Sequence, residues 1–227
     1  MWLFDQYYIM LVLPALALSL IAQVRVKWTF SKYGRVGNAG GMTGADIAVA
    51  ILGRNGVSNV RVELVQGRLT DHYDPRKRVI RLSNEVYGSR SVAALGIAAH
   101  EAGHALQHAR KYKPLMLRGT LVPAANVGSN FGPYLAIAGL AFGFDILIDV
   151  GIILFAAAVL FYLITLPVEF NASRRAMDEL VRDGALSRKE LKGSKRVLSA
   201  AAMTYLAAAI VAFAQLARLI LLRGRRR

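Results

Sequence analysis

Residues Ile146–Leu166 read ILIDVGIILFAAAVLFYLITL and decide the fold class. These 21 residues carry a single charged side chain, that of Asp149, and a helix needs about 20 predominantly apolar residues to cross the hydrocarbon core of a bilayer. Three further stretches contain no charged residue: Tyr7–Val24, Phe131–Phe144 and Val197–Ala217. Phe131–Phe144 is long enough to span only if residues 121–130 contribute to it. The sequence therefore predicts an integral membrane protein.

The composition of the chain agrees with this division into apolar and charged segments. The mean hydropathy is +0.39 although 19% of the 227 residues are charged, so the two kinds of residue must be separated along the sequence. The parts outside the apolar stretches have room for one small soluble domain at most. The absence of Cys excludes a disulfide-stapled scaffold, a thiolate metal site and a Cys nucleophile.

Lys and Arg are distributed unevenly along the chain. There are 29 of them against 14 Asp and Glu, a formal net charge of +15. They lie in residues 23–120, in residues 167–196 and in the tail that begins at Arg218. They are absent from residues 1–22 and 119–168, which contain the acids Asp5, Asp145 and Asp149.

This asymmetry predicts the orientation in the membrane, because Lys and Arg are enriched in cytoplasmic segments next to membrane spans. Residues 25–120 and 167–196 are expected in the cytoplasm, and the N-terminus and the region around Asp145 outside. The chain is thus expected to be a multi-pass protein of the cell membrane. A basic protein can also bind nucleic acid, but no aromatic-basic recognition motif accompanies the charge, so no nucleic-acid partner is expected.

The patterns divide the chain into six segments. They are a transmembrane helix (1–24), a cytoplasmic domain (25–120), a transmembrane hairpin of two helices (121–166), a cytoplasmic helix (167–196), a fourth transmembrane helix (197–222) and a basic tail (223–227). A spanning fourth helix would place the Arg residues of the tail outside, against the charge rule. The alternative is a helix that lies partly in the interface, with its Arg side chains reaching the head groups.

Local signals within residues 25–120 predict two helices and two strands. Thr43 and Asp46 form the pattern of a helix N-terminus, and Gly56 is a left-handed stop for a helix that ends near Asn55. Alternation of apolar and polar residues predicts short strands at Val60–Val65 and Arg78–Leu82, with a turn at Asp71–Pro75 between them. A second helix is expected to begin at Ser91, to continue through Ala109 and to end before Pro114.

The second helix contains the sequence His100-Glu101-Ala102-Gly103-His104. Two His residues four positions apart are offset by only about 40° around a helix, so both imidazoles can reach one metal ion. Glu101 is turned by about 100° and can contact a water on the metal rather than the metal itself. His108 lies roughly 12 Å from His100 along the axis, too far to be a third ligand. The alternative is a solvated pair of His residues beside a Glu.

A catalytic zinc site uses three protein ligands and leaves one position open. Residues 104–169 are expected to cross the membrane twice, which returns Glu169 to the side of the two His residues. Glu169 follows Pro167, either at the start of a new helix or in a continuation of the third span. It is therefore a candidate third ligand. It could equally be an interfacial Glu paired with Arg174 or Arg175.

The sequence resembles the YugP-like neutral zinc metallopeptidases of bacterial membranes, which are distantly related to HtpX and the C-a-a-X prenyl proteases. The resemblance covers nearly the whole chain. Its motifs are Tyr7-Tyr8, residues 69–76 (LTDHYDPR), residues 91–95 (SVAAL), residues 99–107 (AHEAGHALQ) and residues 166–176 (LPVEFNASRRA).

The resemblance implies a multi-pass α-helical membrane protein with a small α+β zincin-like (gluzincin) catalytic domain. It implies one zinc ion bound by His100, His104 and Glu169, with Glu101 as the catalytic residue. In the wider gluzincin group an acidic residue often follows the ligand Glu by four positions and orients a His ligand, but here that position is Ser173. Asn171 or Asp178 is a candidate to take its place.

The expected function is that of a membrane-anchored zinc metallopeptidase, an endopeptidase acting on protein or peptide substrates at the cytoplasmic face. Glu101 would assist the attack of a zinc-bound water on the peptide bond. An exposed edge of the Arg78–Leu82 strand would pair with the extended substrate backbone. The candidates to stabilise the oxyanion are His72, Tyr73 and Arg174.

Two rival functions remain open. In an intramembrane protease of the site-2 type, residues 90–110 would cross the bilayer and bury His100, Glu101 and His104 in lipid, which is costly. In a non-catalytic, zinc-stabilised membrane scaffold, the metal would be structural. Structural zinc sites are usually closed, four-coordinate and rich in Cys, and such a site would not need Glu101.

Overall fold

The computed structural model describes residues 5–225. Residues 1–4 and 226–227, which belong to the predicted first helix and basic tail, lie outside the described part. The fold is mostly helical with one small sheet. In chain order a π-helical turn at Tyr8–Val12 is followed by α1 (Leu13–Tyr33), α2 (Gly44–Arg54), β1 (Arg61–Val65), β2 (His72–Asp74), β3 (Val79–Ser83), α3 (Asn84–Tyr87), α4 (Val92–Ala109), α5 (Lys113–Phe142), α6 (Asp145–Asp183) and α7 (Arg188–Gly224).

The chain forms two compact units. The first, called the helical unit, comprises Met1–Gln23, Met116–Pro167 and Met203–Arg227, and the second, called the mixed unit, comprises Val24–Leu115 and Val168–Ala202. Three helical segments of the described residues are long and apolar enough to cross a membrane: Tyr8–Tyr33, Asp145–Asp183 and Arg188–Gly224. The first, third and fourth predicted spans therefore each contain a helix long and apolar enough to cross a membrane.

Helix α5 is long but is not among the three candidate spans of the described residues. It has 30 residues with Pro123 and Pro133 in its interior, and its middle contains Asn126, Ser129 and Asn130. Its partner in the helical unit is α6, since a Cβ added at Gly128, Gly132 or Gly151 would collide with the backbone or a side chain of the opposite helix. Small residues at such positions allow the close helix packing found in membranes. A second transmembrane helix within 121–166 stays a prediction.

The C-terminal half of α7 is paired with acids within the helical unit. The Arg218 guanidinium, which is almost fully buried, lies 2.7 Å from the carboxylate of Asp5, and Arg223 pairs with Asp145 and Asp149. Arg218 and Arg223 are therefore held by the acids that were expected on the outer side. Such pairing lowers the cost of placing them there and favours the spanning alternative for α7.

The mixed unit has a three-stranded sheet in the order β1-β3-β2, with β3 parallel to β1 and antiparallel to β2. The predicted exposed edge at Arg78–Leu82 is therefore wrong, because β3 is hydrogen-bonded on both sides. The prediction of a turn over Asp71–Pro75 is also wrong in part, because His72–Asp74 form the edge strand. The turn begins at Asp74, whose carboxylate accepts hydrogen bonds from the amides of Arg76 and Lys77.

The local helix signals were read correctly. Thr43 and Asp46 form a reciprocal capping box at the start of α2, and Gly56 follows the helix with a positive φ of 69°. Ser91 caps α4 by accepting a hydrogen bond from the amide of Ala94. The apolar sides of α2, α4 and the sheet form one core, whose largest fully buried side chains include Ile47, Ile51, Ile80, Leu82, Leu95 and Leu106.

The segment after the third apolar stretch differs from its prediction. Helix α6 passes through Pro167 without a break, so Glu169 lies on a continuation of the third predicted span rather than at the start of a new helix. The predicted single helix over 167–196 is wrong, because α6 ends at Asp183 and α7 begins at Arg188. Gly184, with a φ of 71°, adopts the left-handed conformation that ends α6.

Candidate metal centre

His100, His104 and Glu169 lie together between α4 and α6. One ligand atom from each of the three lies within 4.8 Å of the others, and these residues are the candidate metal group found in the described part of the chain. The Oε2 atom of Glu169 is 3.2 Å from Nε2 of His100 and 3.4 Å from Nε2 of His104. Glu169 is 2% exposed, so it is not an interfacial Glu. Arg175, its expected partner in that alternative, donates to Asn171 instead.

Gly103, inside the His-Glu-Ala-Gly-His sequence, brings the two helices close enough for this arrangement. A Cβ at this position would lie 2.7 Å from the carbonyl oxygen of Ala172, so the backbone of α6 approaches α4 where α4 has no side chain. Ala172 is one turn beyond Glu169 on α6. The close contact therefore holds Glu169 against the imidazoles of His100 and His104.

A chain of hydrogen bonds fixes the tautomer of His104. The buried amide group of Gln107 donates from Nε2 to the carbonyl oxygen of Val168 at 2.8 Å and to Oδ1 of Asn171 at 3.0 Å. The Val168 carbonyl can only accept, so the other end of the Gln107 amide must be its oxygen. That oxygen lies 3.0 Å from Nδ1 of His104, which must then be the protonated nitrogen. In the neutral imidazole the lone pair is consequently on Nε2, toward Glu169.

His100 is oriented from α6 by Ser173, whose hydroxyl oxygen lies 3.1 Å from Nδ1 of His100. Ser173 stands where related proteins often have an acidic residue. It contacts a His of the candidate group through a neutral hydroxyl rather than a carboxylate. Asn171, one of the two suggested substitutes, acts on the other His through Gln107. Asp178, the second suggested substitute, is exposed.

The buried carboxylate of Glu169 favours positive charge on the groups around it. Burial of His104 opposes its protonation, but the hydrogen bond to Glu169 and the negative charge of Glu101 outweigh burial and raise the pKa of the imidazole. Glu101, itself 8% exposed, is thus close enough to act on His104 through its charge. A proton or a metal cation would neutralise the buried carboxylate. Two imidazole nitrogens and a carboxylate oxygen match a donor set found in catalytic zinc sites.

The three candidates for oxyanion stabilisation have other partners or face solvent. Nδ1 of His72 donates to the carbonyl oxygen of Thr70 at 2.7 Å. The Tyr73 hydroxyl is 2.8 Å from Nδ1 of His108, and burial raises the pKa of Tyr73. Arg174 is exposed. Tyr73 nevertheless joins the edge strand β2 to α4 one turn beyond His104.

Comparison with known proteins places nearly the whole chain in one family. The family described as "Putative neutral zinc metallopeptidase" matches residues 8–224. The chain is 50% identical over 215 residues to the "Putative membrane protease YugP" of Bacillus subtilis (strain 168), with 95% of this chain and 96% of that protein covered. No solved structure matches the chain. The resemblance drawn from the sequence motifs is confirmed: the chain belongs to this neutral zinc metallopeptidase family.

Proposed function

We propose that this protein is a membrane-anchored zinc endopeptidase that cleaves polypeptides at the cytoplasmic face of the membrane. The observation that carries the proposal is the convergence of both His Nε2 atoms on one carboxylate oxygen of Glu169. Family membership supports zinc as the metal and peptide hydrolysis as the reaction. The concentration of basic residues in 25–120 and 167–196 supports the cytoplasmic orientation.

The metal would be held by His100, His104 and Glu169. A bound zinc ion would polarise a water and the scissile carbonyl and bring the pKa of that water toward about 7. The chain's part is to keep the three ligand atoms fixed, through Ser173 on one imidazole and Gln107 on the other. Such outer partners set the tautomer and the basicity of a ligand imidazole.

Glu101 would act as the general base and then as the general acid. Its carboxylate takes a proton from the attacking water while the water oxygen forms a bond to the carbonyl carbon. It then gives this proton to the amide nitrogen as the carbon–nitrogen bond breaks, which releases a carboxylic acid and an amine. Its negative charge helps to raise the pKa of His104, and its place next to His100 in α4 keeps it beside the candidate ligands.

The substrate would lie along β2. This strand is an edge of the sheet, so it can accept an extended peptide as a further strand through backbone hydrogen bonds. The Tyr73–His108 hydrogen bond ties β2 to α4. Recognition through backbone groups would suit a peptidase with low side-chain selectivity.

Replacement of Glu101 by Gln tests the proposal. Glu101→Gln keeps the shape of the side chain but removes the base, so we expect hydrolysis of a denatured protein substrate to fall by at least about 100-fold. Zinc content, measured on the detergent-purified protein, should stay near one ion per chain. Full activity of this variant would refute the assigned role, and absence of hydrolysis by the unaltered, zinc-loaded protein would favour the non-catalytic scaffold.

The packing of α4 disfavours the intramembrane alternative. This helix shares the core of the mixed unit with α2 and the sheet, and it is not among the three candidate spans of the described residues. A Cys introduced at exposed Lys111, just after α4, should react with a water-soluble maleimide added from the cytoplasmic side. Protection of this Cys by the bilayer would favour the intramembrane alternative.

A further inference from the structure

A cavity of about 500 Å³ lies within the mixed unit, between the end of α1 and the start of α7. Five cationic side chains line it, and no acidic residue of the described part does: Arg25, Lys32, Lys192, Lys195 and Arg196. We refer to it as the basic cavity. None of its lining residues belongs to the candidate metal centre. The proposed hydrolysis does not require the basic cavity.

Two of the five cations of the basic cavity, Lys32 and Arg196, contact aromatic groups, which leave their charge in place. The Lys32 ammonium lies 4.9 Å from the ring centre of Trp28 and 5.9 Å from that of Tyr33. Arg196 donates to the Tyr33 hydroxyl at 2.8 Å. Elsewhere in the mixed unit several Arg side chains pair with carboxylates, as Arg54 does with Asp183. The positive charge gathered in the cavity is therefore suited to an external anion.

The position of the basic cavity along both helices indicates what kind of anion this is. In α1 the uncharged stretch ends at Val24, and the cavity residues begin at Arg25. In α7 the order is reversed, because the basic residues 192–196 precede an uncharged stretch that begins at Val197. In each helix the cavity lies where an apolar sequence becomes basic, which is the level of lipid head groups.

Trp28 adds to this argument. Its side chain is 61% exposed although it is large and apolar, and Trp is enriched where a membrane protein meets the head-group region. A soluble anion would be held by the cations alone, whereas a phospholipid can also place its acyl chains against the apolar segments of both helices. Basic pockets between helices on the cytoplasmic side are known to take acidic lipid head groups.

We propose that the basic cavity binds the phosphate head group of an anionic phospholipid in the adjoining leaflet. The cavity volume lies in the range of small-molecule sites, which accommodates a glycerophosphate group. Lys192 and Lys195, one turn apart on α7, contact the phosphate together with Arg196. Trp28 lies beside the upper part of the acyl chains.

Quenching of Trp28 fluorescence by brominated lipid tests this proposal in the full-length, detergent-purified protein. The chain has two Trp residues, so Trp2→Phe leaves Trp28 as the only one. We expect brominated phosphatidylglycerol to quench Trp28 at about tenfold lower mole fraction than brominated phosphatidylcholine, since each basic residue near the surface adds to the attraction for acidic lipid. Equal quenching by the two lipids would overturn the proposal.

Two matched double variants separate the cavity from the net charge. Lys192→Gln/Lys195→Gln removes two cavity charges and should bring the preference for phosphatidylglycerol to less than about threefold. Arg188→Gln/Lys189→Gln removes two exposed charges from the same helix outside the cavity and should keep it. Equal losses in both variants would overturn the proposal. If the first variant does not fold, Lys195→Gln alone gives the same comparison.

Competition experiments distinguish the lipid from soluble ligands. Unbrominated phosphatidylglycerol should restore Trp28 fluorescence, whereas sodium phosphate, glycerol 3-phosphate and an acidic peptide at the same concentration should not. Restoration by phosphate or glycerol phosphate would make this a site for soluble anions, and restoration by the peptide would make it a substrate or partner site. Either result would overturn the lipid assignment.

Discussion

Two positions of α6 carry acidic residues that face different kinds of cation: Glu169, inside the helix, and Asp145 and Asp149, at its N-terminal end. Glu169 has a side chain 3% exposed and faces two imidazoles. Asp145 and Asp149, at the N-terminal end, have side chains 59% and 50% exposed and pair with Arg223. An Arg side chain keeps its proton under all ordinary conditions, whereas an imidazole loses its proton near neutral pH and then offers a lone pair.

This difference separates an ion pair from a metal site. At the Asp145 end, both charges are permanent and water screens them, so the contact is complete without a further ligand. At Glu169, a buried carboxylate faces groups that can be either charged or neutral. A metal cation can replace the protons there, because deprotonated imidazoles become ligands as the positive charge arrives. The buried position of α6 at Glu169 is thus the candidate metal site, whereas the Asp145 end forms an ordinary ion pair.

Removal of Glu169 should have the largest effect. Glu169→Ala takes away the only carboxylate of the candidate donor set, so we expect zinc affinity to fall by more than about 100-fold and hydrolysis to be lost. Metal analysis after dialysis against a weak chelator measures this change. Asp149→Ala, at the N-terminal end of the same helix, is the matched control and should retain its zinc. Zinc retained by Glu169→Ala would show that the two positions do not differ as argued.

Disruption of the close approach of α4 and α6 at Gly103 should have the second largest effect. Gly103→Ala places a Cβ against the carbonyl of Ala172, so we expect a loss of about 1–3 kcal/mol in the free energy of unfolding and weaker zinc binding. Gly53→Ala is the control, because that exposed position of α2 has open space for a Cβ and Ala stabilises helices relative to Gly by up to about 1 kcal/mol. The two substitutions should therefore shift the thermal transition in opposite directions.

Features that depend on neighbours in the sequence could be predicted. The capping box of Thr43 and Asp46 and the cap at Ser91 need only residues within one helical turn. The side-by-side placement of His100 and His104 follows from the period of a helix. Glu169 was selected by counting membrane crossings, and the structure places it beside these two residues, although its role as a ligand stays a prediction.

Features that depend on distant parts of the chain were missed. The amide of Gln107 is fixed by Val168, 61 residues away, and nothing near Gln107 in the sequence points to that carbonyl. The short strand β2 consists of three residues between turn-forming ones, so it has no measurable alternation. The central place of β3 follows from its pairing with both other strands, which the sequence pattern of a single strand does not contain.

Loss of the acceptor on His104 should have a smaller effect than loss of a ligand. Gln107→Met keeps the volume of the side chain but gives Nδ1 of His104 no oxygen to donate to, so the tautomer is no longer fixed. We expect zinc affinity to fall by about 10- to 100-fold, the range found for such outer partners. Zinc affinity of Gln107→Met equal to that of the unaltered protein would contradict the hydrogen-bond chain.

The smallest effect is expected at the Asp145 end of α6. Arg223→Gln removes the guanidinium that pairs with Asp145 and Asp149, but these carboxylates are half exposed and water can replace their partner. We expect zinc content and hydrolysis to stay within about twofold of the unaltered protein, because neither Arg223 nor its two acidic partners belongs to the candidate metal group. A large loss of zinc in Arg223→Gln would show that the ion pair and the candidate metal centre are coupled along α6. The contrast between a screened ion pair and a buried, exchangeable site would then no longer hold.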